Sequence, residues 1–384
     1  MAAGALLALH FATWTVSLFV SYRKVGGDAA ADAALLSQAV GQPVRVQWMR
    51  QDEHGWEPLG PAMLHQMTGG LDSQGTIAAW DHTMWTPTHG TRPGSMVGNL
   101  LAGQETGSLP PAPGSVVGSG TRNAPVNYAF ARNRLTVKAV SHFTTPNGNG
   151  VLNNILLRPS SLRSLGGLSN TFANESFMDE LAAAAGVDPL DFRLQYLSDP
   201  RAVAVLQAMA TQARWHKKPK PSKPVPGQTA LLNGRGLTYL QYENNLAYVA
   251  TYAEVQVDPT TGVVQVTRVV VAHDCGLIIN PAGLQNQIEG NVIQATSRTL
   301  KEEVQFDGNG VTSTNWLTYP ILNFNEVPSI EIVLIDQPTQ PAWGAGEPVT
   351  ETMASAIGNA IFDATGVRLR TLPFTPARVL AALS

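Results

Sequence analysis

Apolar and polar positions along the chain change period several times, and each change predicts an element. Ala29 to Val40 has helical spacing with small residues on all sides, and Val44 to Met49 alternates as a strand leading into the Asp52-Glu53 turn. Ala62 to Trp85 reads as strands around Gly69-Gly70 and Gly75, and Arg134 to Val140 as one more. Helices are expected from Asn170 to Ala185, ended by Gly186, and from Pro189 to Tyr196. Three strands follow at Gly234 to Tyr242, Ala247 to Val257 and Val263 to His273, the last two joined by Asp258-Pro-Thr-Thr-Gly262. A helix from Leu284 to Thr299, further strands and an Ala-rich apolar helix from Thr350 to Ala364 complete the series. Strands and helices do not alternate as βαβ units, so the predicted class is α+β, with mixed, mainly antiparallel sheets and packed helices.

The organisation follows from the stretches that lack a period. Residues 1–27 are a separate apolar N-terminal segment; the apolar run there is marginal for a membrane span, and its charges, Arg23 and Lys24, follow it, which is the wrong side for a secretion signal. Gly90 to Asn123, rich in Gly, Pro and Ser, is expected to be a long irregular loop, and Pro146 to Gly150 lies in a second one. The Pro-rich stretch 217–227, with Lys217, Lys218 and Lys220, reads as a solvated linker between a region at 28–216 and another at 228–384.

Composition narrows the chemistry. With 384 residues, 44% apolar and 14% charged, the chain has ample material for a large core. A net charge of −3 gives no basic field for nucleic acid. The single cysteine, Cys275, excludes an internal disulfide, a cysteine-based zinc site and an iron–sulfur cluster on this chain, and the eight histidines show no HExxH pattern or close pair of ligand spacing. Cys275 itself reads as a small buried apolar residue.

Three blocks carry candidate chemistry. In Trp343-Gly344-Ala345-Gly346-Glu347-Pro348, two glycines permit close approach of the backbone to a bound group, and a carboxylate stands at a helix start. On spacing alone this reads first as a tight turn before a helix, whose glutamate satisfies free amides of the first helical turn. In the second block a strand ends at His273, Gly276 turns the chain, and Asn280-Pro281 opens a helix. Gln287, Gly290 and Gln294 fall on one face of that helix at spacings of three and four, suited either to a flat hydrogen-bonding heterocycle or to a polar seam between helices. The third block, Leu162-Arg163-Ser-Leu-Gly-Gly167, precedes a helix bearing Asn174, Glu175, Asp179 and Glu180; the last two read as solvated helix charges.

These blocks, in this order, together with the Leu372-Pro-Phe-Thr-Pro376 ending, resemble the molybdenum hydroxylases of the xanthine oxidase and aldehyde oxidoreductase family. Within it the chain is similar to the large, molybdopterin-binding subunit of isoquinoline 1-oxidoreductase and its membrane-associated aldehyde dehydrogenase relatives. The resemblance starts at Asp28 and implies the C-terminal portion of such a subunit, preceded by a missing N-terminal portion. It implies a molybdopterin-binding fold of the aldehyde oxidase type and a molybdenum–molybdopterin cofactor in its cytosine dinucleotide form. Glu347 is then the general base for oxidation of an aldehyde or an N-heterocycle with oxygen derived from water. Gly344, Ala345, Gly346, Gln287, Gly290 and Gln294 line the cofactor, Arg163 and Trp343 the substrate pocket, and no protein side chain ligates the metal. Electrons leave through a small iron–sulfur partner subunit. Two other readings stay open, an inactive truncated fragment of such an enzyme and an interaction protein anchored by residues 2–20; location is open between cytoplasm and periplasm.

Overall fold

The computed structural model describes residues 27–87, 89, 100–108, 118–140, 157, 160–218, 220–222 and 227–384. Residues 1–26, most of the loop expected at 90–123 and the Pro146–Gly150 turn lie outside them. Within them the chain is α+β. A small sheet in the order β1-β2-β3 is built from Leu64–Leu71, Ile77–Thr86 and Asn133–Ala139, with β1 antiparallel and β3 parallel to β2. A larger sheet in the order β4-β5-β6-β9 is built from Leu232–Gln241, Tyr248–Val257, Val264–Asp274 and Ser329–Leu334. Its first three strands are antiparallel and β9 runs parallel to β6. A two-stranded hairpin, β7 (Phe306–Asp307) and β8 (Gly310–Val311), stands apart.

The large sheet is buried on both faces, and strand alternation divides its side chains between two cores. Val249, Ala253, Val269 and Val271 face helices α7 (Pro281–Leu300) and α8 (Pro348–Thr365), while Tyr248, Ala250, Tyr252 and Val270 face α4 (Gly167–Ala185), α5 (Pro189–Leu194) and α6 (Pro200–Ala213). Side chains from both sides of residues 217–227 therefore share the second core. Of the remaining helices, α1 (Gly27–Val40), α2 (Arg50–Trp56), α3 (Leu101–Glu105) and α9 (Pro376–Leu383), the last packs Val379 into the first core.

Helix α8 is the axis of the fold. Val349, Met353, Ile357 and Ile361 are fully buried, each contributing about 2 kcal/mol from removal of apolar area from water. Its approach to β4 is at backbone distance: a Cβ at Gly236 would lie 2.3 Å from both the Ala356 carbonyl oxygen and the Ala360 nitrogen, so the strand carries glycine there. Hydrogen bonds between Thr238 and Ser355 (2.9 Å) and between Thr251 and Thr352 (2.7 Å) tie the same surfaces together.

Several expectations change. Val44 to Met49 forms no strand; Trp48 instead donates its indole N–H to Asp32 of α1 at 3.0 Å, as Trp56 does to Asp28 at 3.1 Å, and these bonds fold the segment back on α1. Asp179 is buried, not solvated, because the buried Arg193 guanidinium bridges it (3.0 Å) and Glu175 (2.9 Å). Glu175 also accepts from Tyr128 at 2.8 Å and from the Tyr239 backbone at 3.0 Å, joining α4, α5 and β4. Lys218 is held against the end of α8 by Asp363 at 2.6 Å.

Candidate active site

The loop between β9 and α8 is fastened at both ends. Toward its start it lies against the turn that follows β6, where Gly276 has φ +77° and a Cβ would fall 1.8 Å from the Pro341 carbonyl oxygen. Only glycine permits this approach. Gln337 N–H donates to Gly276 O (3.1 Å), Trp343 N–H to Cys275 O (2.8 Å), and Gly276 N–H to the Asp274 carboxylate (2.9 Å), which also holds Arg201. At its end, the first turn of α8 is capped from α7: Thr350 N–H and its hydroxyl both donate to the Asn291 side-chain oxygen. Asn280 opens α7 as its cap, accepting from Gly283 N–H at 2.9 Å.

Arg163 brings the three blocks together. Its Nε donates to Gly346 O (2.6 Å), Nη2 to Gln287 Oε1 (2.7 Å) and Nη1 to Gln294 Oε1 (3.2 Å). Ser164 and Leu165, at φ +86° and +55°, turn the chain sharply behind it, and Arg298 of α7 donates to the Arg163 carbonyl at 2.8 Å. Gly290 lies between the two glutamines, where a Cβ would meet the guanidinium at 3.7 Å. The amide oxygens of Gln287 and Gln294 are thus engaged, and among the described residues their NH2 groups donate to no protein atom.

Glu347, 9% exposed, is the residue before α8, yet its side chain caps no amide of that helix. Its Oε2 accepts from the Tyr242 hydroxyl at 2.8 Å, and the Tyr242 oxygen in turn accepts from Arg122 Nη1 at 2.9 Å. Arg122 is ion-paired with Glu243. Burial, and next the Glu347 carboxylate, push the Tyr242 phenol well above its usual range, so it stays protonated. One turn into α8 lies Glu351, fully buried, with no hydrogen-bond partner on either carboxyl oxygen among the described residues. Burial first, then Glu347, drive its pKa well above the ordinary carboxyl value, which keeps it neutral. A Cβ at Gly167 would fall 2.1 Å from this carboxyl carbon.

Of the residues singled out by sequence, Arg163, Gln287, Gly290, Gln294, Gly346 and Glu347 therefore converge. Ala345 is partly buried against the core, Gly344 faces open space, and Trp343, 37% exposed, joins the loop through its backbone. Tyr242, Arg122, Glu351 and Asn291 belong to the same site without standing out in the sequence. Glu351 alone carries a local signal, lying four residues after Glu347.

Residues 173–328 match the family model described as a molybdopterin cofactor-binding domain. The chain is 42% identical over 367 residues to a nicotinate dehydrogenase subunit of Pseudomonas putida, covering 94% of this chain and 29% of that protein. It is 30% identical to the beta subunit of isoquinoline 1-oxidoreductase of Brevundimonas diminuta, covering 92% of this chain and 41% of that one. The chain thus spans less than half the length of these relatives. Among solved structures, quinoline 2-oxidoreductase from Pseudomonas putida 86 superposes with a TM-score of 0.71 over 97% of this chain and 71% of that one, at 15% identity, a likeness of fold. The family model and these relatives together show that the chain belongs to the molybdenum hydroxylase family.

Proposed function

We propose that this chain forms one wall of the active site of a molybdenum hydroxylase that oxidises an N-heteroaromatic compound, with Glu347 as the general base. The observation that carries the reading is the Arg163 fork, which gathers Gln287, Gln294 and Gly346 into one surface beside Glu347. Two free amide NH2 groups, the uncluttered Gly290 face and the open Gly344 backbone suit a flat, hydrogen-bonding heterocycle such as a pterin, here in its cytosine dinucleotide form. When bound, the molybdenum cofactor supplies two-electron oxidation and activates water-derived oxygen. The chain's own residues do the rest: Glu347 takes the proton lost by the attacking oxygen, and Trp343 offers an apolar edge to the substrate ring. General-base action of this kind contributes on the order of 10²–10⁴ in rate.

The relatives named for nicotinate and isoquinoline favour a heterocycle over an aldehyde, although a membrane-bound aldehyde dehydrogenase of Gluconacetobacter polyoxogenes is 27% identical. The companion parts are the remainder of the large subunit and a small iron–sulfur subunit that receives the electrons, since this chain has one cysteine and it is buried. Among the described residues no helix is long and apolar enough to cross a membrane.

Metal and pterin analysis of the chain, purified with its companion parts from a host that makes the cofactor, tests this reading. Near-stoichiometric molybdenum, lost when Gln287 and Gln294 are both changed to leucine, is expected. Absence of molybdenum from the wild-type complex would mark the chain as an inactive relic of the family.

A further inference from the structure

We infer that Tyr242 and Arg122 are positioning residues that hold Glu347 as a one-sided base, fixing Oε2 as a hydrogen-bond acceptor and leaving Oε1 to take the proton. The inference rests on the assignment of Glu347 as the base and specifies which of its atoms acts.

The direction of the hydrogen bonds is forced. A guanidinium has five N–H donors and no acceptor, so the Arg122–Tyr242 contact at 2.9 Å consumes a lone pair on the phenol oxygen. The phenol hydrogen cannot point at Arg122 and is directed to Glu347 Oε2, 2.8 Å away. Arg122 cannot accept a proton either, so the chain is a dead end for proton transfer and works as a donor. Among the described residues no protein group is hydrogen-bonded to Oε1, which leaves that oxygen available.

The arrangement is built in from both sides. Asn170 donates to the Arg122 carbonyl at 2.8 Å. Asn123 accepts from Glu243 N–H at 2.9 Å and donates to Gln241 O at 2.8 Å. Glu243 and Asn244 are left-handed, at φ +53° and +63°, and this turn brings the Glu243 carboxylate onto Arg122. Non-glycine residues seldom adopt that conformation without surrounding contacts to hold them. Tyr242 is pinned to Ala247 O through its own N–H at 2.7 Å.

The charged and titratable groups around Glu347 come from several elements. They are Tyr242 and Glu243 after β4, Arg122 before β3, Arg163 before α4 and Arg298 on α7, with Glu351 on α8 itself. Of these, Tyr242 is the group hydrogen-bonded to the carboxylate.

The test is the titration of Glu347 in the chain free of cofactor, followed by NMR of ¹³Cδ-labelled glutamate, with Glu347→Gln assigning the resonance. Tyr242→Phe removes a donor to the ionised form, so the Glu347 midpoint rises by about one pH unit, a tenfold gain in proton affinity. Arg122→Met releases the phenol to rotate and raises the midpoint by a smaller amount; Arg122→Lys, which keeps a charged donor without an acceptor, stays near wild type. If Tyr242→Phe leaves the midpoint at its wild-type value, or if Arg122→Met shifts it as much with Tyr242→Phe already in place as without it, the inference is overturned. Should Tyr242→Phe fail to fold, an unmoved midpoint in Arg122→Met overturns it. A Glu347→Gln enzyme with full turnover would instead overturn the base assignment while leaving this titration intact.

Discussion

Replacing Arg163 with methionine keeps the length of the side chain and removes the fork that holds Gly346 O, Gln287 and Gln294 together. Net contributions of hydrogen bonds to a charged donor are about 1.5–3 kcal/mol, with exposed partners at or below the lower end because water replaces the lost contact. The short bond to Gly346 O, beside the buried Glu347, is worth about 2 kcal/mol on this scale, and the two glutamine bonds together about 1 kcal/mol. The loop from Pro341 to Glu347 then opens about 3 kcal/mol more readily, close to a hundredfold in its opening equilibrium. Hydrogen exchange reads this directly at the Trp343 amide, which donates to Cys275 O at 2.8 Å and exchanges only when the loop lifts. The expected result is exchange faster by about two orders of magnitude at Trp343 in Arg163→Met, with amides in the middle of β5 unchanged. Arg163→Lys, with the charge but a single donor direction, should resemble methionine more than wild type. Unaltered exchange at Trp343 in both variants would refute the latch.

Other predictions follow from buried groups. Glu351→Gln should gain stability relative to wild type as pH rises from 5 to 7. The raised carboxyl binds its proton in the fold above pH 4.5 where the unfolded chain has lost it, which costs wild type about 1.4 kcal/mol per pH unit; a constant difference in urea midpoints would contradict this. Four histidines have the opposite sign of effect. Burial lowers His65 to about 3 and His82, His89 and His273 to about 4, so the fold keeps them neutral while the unfolded chain protonates below pH 6.5. Stability is fully present above pH 6.5 and falls by about 1.4 kcal/mol per pH unit per histidine below it; a flat melting temperature from pH 7 to 5 would refute the assignment. Gly236→Ala drives a methyl group to 2.3 Å from the α8 backbone, costing about 3 kcal/mol or more, and a circular dichroism melt within a degree of wild type would disprove that close approach.

What is legible in the sequence is whatever its local pattern encodes. The long amphipathic and apolar periods mark β4, β5, β6, α4, α7 and α8 to within a few residues, and glycine spacing exposes the loop before Glu347. The α6 helix, Pro200–Ala213, is missing from the predicted elements despite its Asp199 cap, whose side chain accepts from Arg201 N–H. The Val44–Met49 alternation misleads because a strand needs a neighbour to accept its ladder, and the segment docks through tryptophan hydrogen bonds instead. Asp179 looks solvated because its partner Arg193 sits on the next helix, a relation that spacing alone does not reveal. Tyr242 and Arg122 are invisible for the same reason on a larger scale: the contact of Tyr242 with Glu347 spans 105 residues and that with Arg122 spans 120. Pattern thus delivers elements and single motifs, whereas the hydrogen bonds that orient a base depend on how the sheet and α8 bring distant turns together.

The most direct test of the account is turnover by Glu347→Gln in the molybdenum-loaded complex, assayed with an N-heteroaromatic acid such as nicotinate and with an aldehyde in parallel, molybdenum content being measured on the same samples. Wild-type turnover of the heterocycle, with loss of at least about a hundredfold in the variant at undiminished molybdenum, is the predicted result. A fully loaded variant that turns over at the wild-type rate would contradict the central role given to Glu347.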